Sequence, residues 1–113
     1  IKLSTLVDAD RLSQLSGGDA EFQRELLQAF IEDTEADLAR VSEAIASGNS
    51  EVAGAIASQI ETSAVNIGVR LIPELATKLA EVAGGERLEE AAVLLGELRE
   101  VVEELRLLTQ TEN

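Results

Sequence analysis

Residues 20–47 read AEFQRELLQAFIEDTEADLARVSEAIAS. Within this stretch Phe22, Leu26, Phe30, Thr34, Leu38, Val41 and Ile45 follow one another at steps of four, four, four, four, three and four. That recurrence marks one face of an α-helix. It predicts a helix over residues 20–47 with a continuous inward stripe of more than six turns. The flanks agree. Ser16-Gly17-Gly18-Asp19 reads as a turn whose Asp19 caps the helix, and Ser47-Gly48-Asn49-Ser50 breaks it.

The same reading extends in both directions. Upstream, Asp8 or Asp10 is suited to cap a short first helix, with Leu12 and Leu15 on one side. Downstream, Ser50 is the expected cap of a helix over 51–68, with Val52, Ile56, Ile60, Ala64 and Ile67 inward and Gly68 ending or bending it. Pro73 fits near the start of a further helix, where its missing N–H is harmless. Leu75, Leu79 and Val82 form that helix's inner face, and Ala83-Gly84-Gly85 stops it. A last helix is expected over 86–109, with Leu88, Ala92, Leu95, Leu98, Val102 and Leu105 inward. Four long amphipathic helices joined by short turns predict an all-α fold, an antiparallel up-down-up-down four-helix bundle. The short N-terminal helix is expected to cover one end. No linker, repeat or charge block divides the chain, so residues 1–113 read as a single domain. Leu94, Val101 and Leu108, seven apart, form a second stripe on the last helix. It reads either as contact with Leu6 and Leu12 or as a dimer seam or partner groove.

Composition narrows the function. The chain has 113 residues, 45% of them hydrophobic and 27% charged, enough for one core. No apolar run approaches the ~18–20 residues of a membrane span, and no signal-peptide pattern opens the chain. It begins with Ile1 rather than Met, as expected of a fragment or a processed chain. There is no His, Cys, Met, Trp or Tyr, and the only aromatics are Phe22 and Phe30. Without Cys there is no disulfide, thiolate nucleophile or zinc-thiolate site. Without His there is no Ser-His-Asp triad, imidazole base or phosphohistidine. The net charge of −13 repels phosphate backbones and anionic lipid, so neither nucleic acid nor membrane is an expected partner. The acidity reads either as a solubility device that keeps the domain monomeric or as a dedicated docking surface. The acidic clusters Glu32-Asp33-Glu35, Glu89-Glu90 and Glu103-Glu104 read as solvated helix faces, not metal sites. Gly17-Gly18 and Gly84-Gly85 precede no Lys-Ser/Thr pair and read as turns, not phosphate loops.

One run is more specific. Ser58-Gln59-Ile60-Glu61-Thr62-Ser63-Ala64-Val65-Asn66-Ile67-Gly68-Val69 resembles the signature of histidine-containing phosphotransfer (HPt) domains, approximately H-x-L-K-G-S-x-x-x-[IL]-G-A. The resemblance extends over nearly the whole chain. Val7-Asp8 through Leu15-Ser16-Gly17-Gly18-Asp19 is similar to the family's opening helix and turn. Phe22, Glu25-Leu26-Leu27 and Phe30 suit its next helix, and Leu75-Ala76 and Leu79 the helix after the signature. The resemblance implies an acidic four-helix bundle that exchanges a phosphoryl group with receiver domains in the cytoplasm. The departures fall on the chemistry. Ser58 stands where the family has its phosphorylated His, Glu61 where it has Lys, and Thr62 where it has Gly. Ala80 stands where many members place an acid that orients the imidazole. The surviving matches, Ile60, Ser63, Ala64, Ile67, Gly68 and Leu79, are those a bundle needs for packing.

Helix geometry places Ser58 independently of the resemblance. At ~100° per residue it lies about 200° from both Ile56 and Ile60, away from the core. The same outward stripe holds Glu51, Gly54, Ala55, Glu61, Thr62 and Val65. Most are small, so a nearly flat shelf is expected, either a docking surface or an ordinary solvated face. Chemically, a Ser hydroxyl is a weak nucleophile without an adjacent base. Glu61 is within reach of Ser58 along the helix, but an exposed carboxylate is a poor base and repels an incoming phosphoryl group. Natural divergence accounts for Ser58, Glu61, Thr62 and Ala80 together; a single engineered His-to-Ser change does not.

The expectation is therefore a degenerate HPt-like module without catalytic residue, cofactor or metal, in a bacterial two-component or chemotaxis-like system. Its partner would be a response-regulator receiver domain, a sensor kinase or another domain of the parent chain, met through the shelf around Ser58. Two alternatives stand beside this. Ser58 could be the phosphoacceptor of a relay, or the bundle could be purely structural or oligomerising through the Leu94/Val101/Leu108 stripe.

Overall fold

The computed structural model describes residues 2–111, all of whose regular elements are helices: α1 (Leu3–Leu6), α2 (Ala9–Ser16), α3 (Ala20–Ala46), α4 (Ser50–Ile67), α5 (Ile72–Gly84) and α6 (Leu88–Thr111). Helices α3 to α6 close a ring in which α3 packs on α4, α4 on α5, α5 on α6 and α6 back on α3. The turns are short, so consecutive helices run antiparallel. At ~1.5 Å per residue α3 alone is about 40 Å long, and it sets the longest dimension of the molecule, 43 Å against 22 and 19 Å.

The caps are local and mostly follow the sequence. Asp8 accepts from the backbone N–H of Asp10 and Arg11, and Asp19 from that of Phe22. Pro73 sits in the first turn of α5. At α4 the cap is Asn49, whose Oδ1 accepts from Val52 N at 3.2 Å; Ser50, the expected cap, is the first helical residue. Asn and Ser cap about equally well, and the backbone starts α4 one residue earlier than expected.

The inward stripes rotate away from the expected ones at several positions. On α3 Phe30, Thr34, Leu38 and Val41 are buried, but Phe22 is 42% exposed and Leu27, Ile31 and Ala44 are buried instead. The cause is geometric. A step of four residues overshoots a full turn by ~40°, so four such steps carry Phe22 about 160° from Leu38. On α4 Ala53 and Ala57 are buried where Val52 is exposed, and on α6 Ala91 is buried where Ala92 is exposed. Leu15 on α2 is also exposed. The second stripe of α6, Leu94, Val101 and Leu108, is half-buried and packs against the core, and α1 packs on α6.

The N-terminal segment is two helices rather than one, and it straps the far end of α4. Val7 pairs with Val69 as an isolated antiparallel bridge, with Asp8 N donating to Gly68 O and Arg70 N to Leu6 O. Arg11 Nε donates to Asn66 O at 2.8 Å, placing a cation at the negative end of α4. Gly68 makes this approach possible. It holds φ 86 at the α4 C-cap, and a Cβ there would stand 2.9 Å from Arg11 Cβ and Cγ. Gly48 also holds a positive φ, 74, but faces open space. Gly48→Ala is therefore expected to cost about 1 kcal/mol, the left-handed penalty alone. Gly68→Ala is expected to cost about 2–3 kcal/mol, because the clash falls on atoms close to the α2 backbone. Urea denaturation of the two variants checks the order.

Candidate functional site

The surface around Ser58 is set by which face of α4 the bundle buries. Ala53, Ile56, Ala57, Ile60, Ala64 and Ile67 are buried. At ~100° per residue, Ala53 marks the middle of that arc. Ser58 then lies about 140° round the helix, Ala55 about 160° the other way, and Thr62 about 180°. Glu51, Ala55, Ser58, Thr62 and Val65 are all exposed, with Val65 58% accessible.

Gly54 and Glu61 differ. At about 100° and 80° from Ala53 they fall on the flank turned to α5, and both are half-buried. A Cβ on Gly54 would meet Ala80 O at 3.5 Å, ordinary van der Waals contact, so here the two helices pass close. Glu61 accepts a hydrogen bond from Thr77 Oγ1 of α5. It is thus bonded across the helix pair and makes no hydrogen bond to Ser58. The expected outward stripe is in fact an exposed crest with two members folded onto α5.

Ser58 stands at the top of this crest between two open grooves. The groove toward α5 is lined by Glu51, Gly54, Ala55, Ala80, Gly84 and Glu86. The groove toward α3 is lined by Asp33, Ala36, Asp37, Arg40, Gln59 and Thr62. The floor is small on both sides, and the charged groups are four carboxylates and one guanidinium. That guanidinium is engaged, with Arg40 NH1 3.2 Å from Asp37 Oδ1. The Ser58 carbonyl accepts from Thr62 Oγ1 at 3.1 Å. The Ser58 hydroxyl has no partner among the described residues. Among the described residues lining the two grooves no imidazole or amine stands beside it to take its proton, so nothing prepares the oxygen for attack. Among the described residues no group of His, Cys, Asp and Glu side chains is arranged to hold a metal ion, and no helix is long and apolar enough to cross a membrane.

Sequence reasoning missed Thr77 and the α3 wall of Asp33, Asp37 and Arg40. The local signal at Thr77 is only its spacing from Pro73, whose carbonyl lies 2.9 Å from Thr77 Oγ1. Its bond to Glu61 depends on how α4 and α5 are set against each other.

No protein-family model matches the chain, and no curated protein does. Among solved structures it is similar to the crystal structure of histidine-containing phosphotransfer protein B (HptB) from Pseudomonas aeruginosa PAO1. The TM-score is 0.83 at 23% sequence identity, covering 94% of this chain and 92% of that one. The fold is therefore the HPt-like helical bundle.

Because the crest is exposed, its residues are substitutable without loss of the bundle. Ser58→Arg is expected to change stability by less than about 0.5 kcal/mol. Ala57→Arg, one residue earlier and fully buried, is expected to cost more than about 3 kcal/mol through an unpaired buried charge. Chemical denaturation of both variants checks this.

Proposed function

We propose that the chain is a degenerate HPt-like module. It docks a signalling protein through the crest of α4 and does not carry a phosphoryl group. The observation that carries this reading is Ser58, a hydroxyl without a partner among the described residues, on an exposed, small-floored crest of an HPt-like bundle whose chain contains no His. HPt chemistry moves a phosphoryl group from an aspartyl phosphate to a neutral imidazole nitrogen, which is nucleophilic near neutral pH. A hydroxyl needs a base to do the same. The one carboxylate at helical contact distance, Glu61, is bound to Thr77 instead. The surrounding carboxylates repel a phosphoryl group, and the single nearby guanidinium is paired. What is kept is the packing and the shape.

In this reading the module acts in bacterial two-component or chemotaxis-like signalling, on the cytoplasmic side, without cofactor. Its partner is a receiver domain, a sensor kinase or another domain of the parent chain. Leu94, Val101 and Leu108, the stripe of the oligomerising alternative, are half-buried against the core.

Isothermal calorimetry against the receiver and kinase domains of the same organism tests the proposal, with Ser58→Arg as control. The expected result is binding to one of them that Ser58→Arg abolishes. Binding to none, or binding indifferent to Ser58→Arg, overturns it. Incubation with the phosphorylated partner adds a second arm. An acid-stable phosphoryl group that disappears in Ser58→Ala would make Ser58 the acceptor and sink the non-carrier reading.

A further inference from the structure

Thr77 lies on α5, one helix away from Ser58. Its hydroxyl carries one proton and faces two acceptors, the Glu61 carboxylate and the Pro73 carbonyl 2.9 Å away. Hydrogen bonds to an ionised acceptor are roughly twice as strong as neutral ones, so the carboxylate is the better partner. Glu61 follows Ser58 by three residues, the spacing at which side chains meet along a helix. A glutamate there has three places to go: solvent, the crest above Ser58, or α5. It is half-buried and bonded to α5.

We infer that Thr77 is a positioning residue for the docking face. It holds Glu61 against α5, which leaves the crest at Ser58 uncovered and fixes one carboxylate on the α5 rim as an acceptor for a cationic side chain of the partner. The purpose of this arrangement rests on the docking reading above. Thr77 engages only one of the acceptor sites of the Glu61 carboxylate, so others are left for the partner. An acceptor already held in place loses little rotamer freedom on pairing, which favours a donor that fits its fixed position. The long side chain that would otherwise roof Ser58 is removed from the approach path by the same bond.

The geometry is testable without a partner. The chain has no His, so Ser58→His introduces a single imidazole whose titration by NMR reports on its surroundings. A nearby carboxylate favours the charged imidazolium and raises its pKa. In near-aqueous surroundings a carboxylate at ~5 Å raises it by about half a unit. The other charged groups lining the two grooves, Glu51 and Glu86 toward α5 and Asp33, Asp37 and Arg40 toward α3, are the same in every variant. Differences between variants therefore isolate Glu61.

Ser58→His alone and Ser58→His with Thr77→Ser are expected to titrate together, because serine keeps the hydroxyl. Ser58→His with Thr77→Val is expected to titrate about half a unit higher, and adding Glu61→Gln to remove the rise. Thr77→Ala serves as a second hydroxyl-free variant if the valine one does not fold. A midpoint indifferent to the Thr77 hydroxyl overturns the inference. So does a midpoint that Glu61→Gln already lowers by that amount with Thr77 intact. Titrations as expected, with no receiver or kinase domain bound by the unsubstituted chain, would count against the docking reading alone. Titrations that disagree while binding holds would count against the role of Thr77 alone.

Discussion

The close passage of α4 over α5 is the constraint on which the candidate site depends. The two helices are joined by a four-residue turn and pack on each other more extensively than any other pair. Small residues meet at the crossing: a side chain on Gly54 would touch Ala80 and Gly84. Buried alanines at positions 53, 57 and 64 of α4 and 76 and 83 of α5 thin both helices. Interiors are close-packed, so where side chains are small the backbones come together. That fixes the rotation of α4 about its own axis. Once Ala53 and Ala57 point inward, Ser58 must point out, and Glu61 must lie near enough to α5 to meet Thr77.

Much of this was legible in the sequence because much of it is local. The ends of α3, the turn at Gly17-Gly18, the stop at Gly68 and the start at Pro73 are each fixed by one or two residues with a known conformational preference. Ser58 faces outward for the same kind of reason, its angle from Ile56 and Ile60. The misses share a different cause. Phe22 and Val52 each stand at the start of a run of fours, and such a run drifts around the helix. The four-residue α1 has no cap or periodicity of its own. It is held by the Val7–Val69 bridge and by packing on α6. The Glu61–Thr77 bond joins residues sixteen positions apart and exists only once the crossing of α4 and α5 is set. What sequence periodicity cannot supply is the rotation of one helix relative to the next, and the flank residues of the site depend on that rotation.

Several of the few cations are used structurally. Arg11 and Arg70 tie the N-terminal segment to the end of α4 and its following turn, through Asn66 O and Ser4 O. Arg106 contacts Glu103 and reaches Glu35 across the α3–α6 contact, and Glu103 holds its guanidinium above the ordinary pKa. Each exposed pair is worth little on its own. Their distribution matters more: with 9 basic residues against 22 acidic ones, a guanidinium spent on the scaffold is unavailable to the surface. The grooves beside Ser58 hold one, and it faces Asp37.

That distribution bears on how, in the proposed reading, a module without acceptor chemistry keeps a docking face. A phosphoryl acceptor needs a nucleophile of suitable basicity and a positive field to receive the anion. Ser58 and Glu61 supply neither. A docking face needs an exposed surface of fixed shape held by a rigid core, and that is set by residues on the opposite side of α4. Substitutions at positions 58, 61 and 62 leave Ala53, Ala57, Ile60 and Ala64 untouched, so the crest keeps its shape when its chemistry changes. On the proposed docking reading the phosphoryl group is not a ligand, so negative charge near Ser58 carries no penalty and a carboxylate serves as a recognition point. Glu61, anchored by Thr77 at the edge of the crest rather than above it, fits that second use.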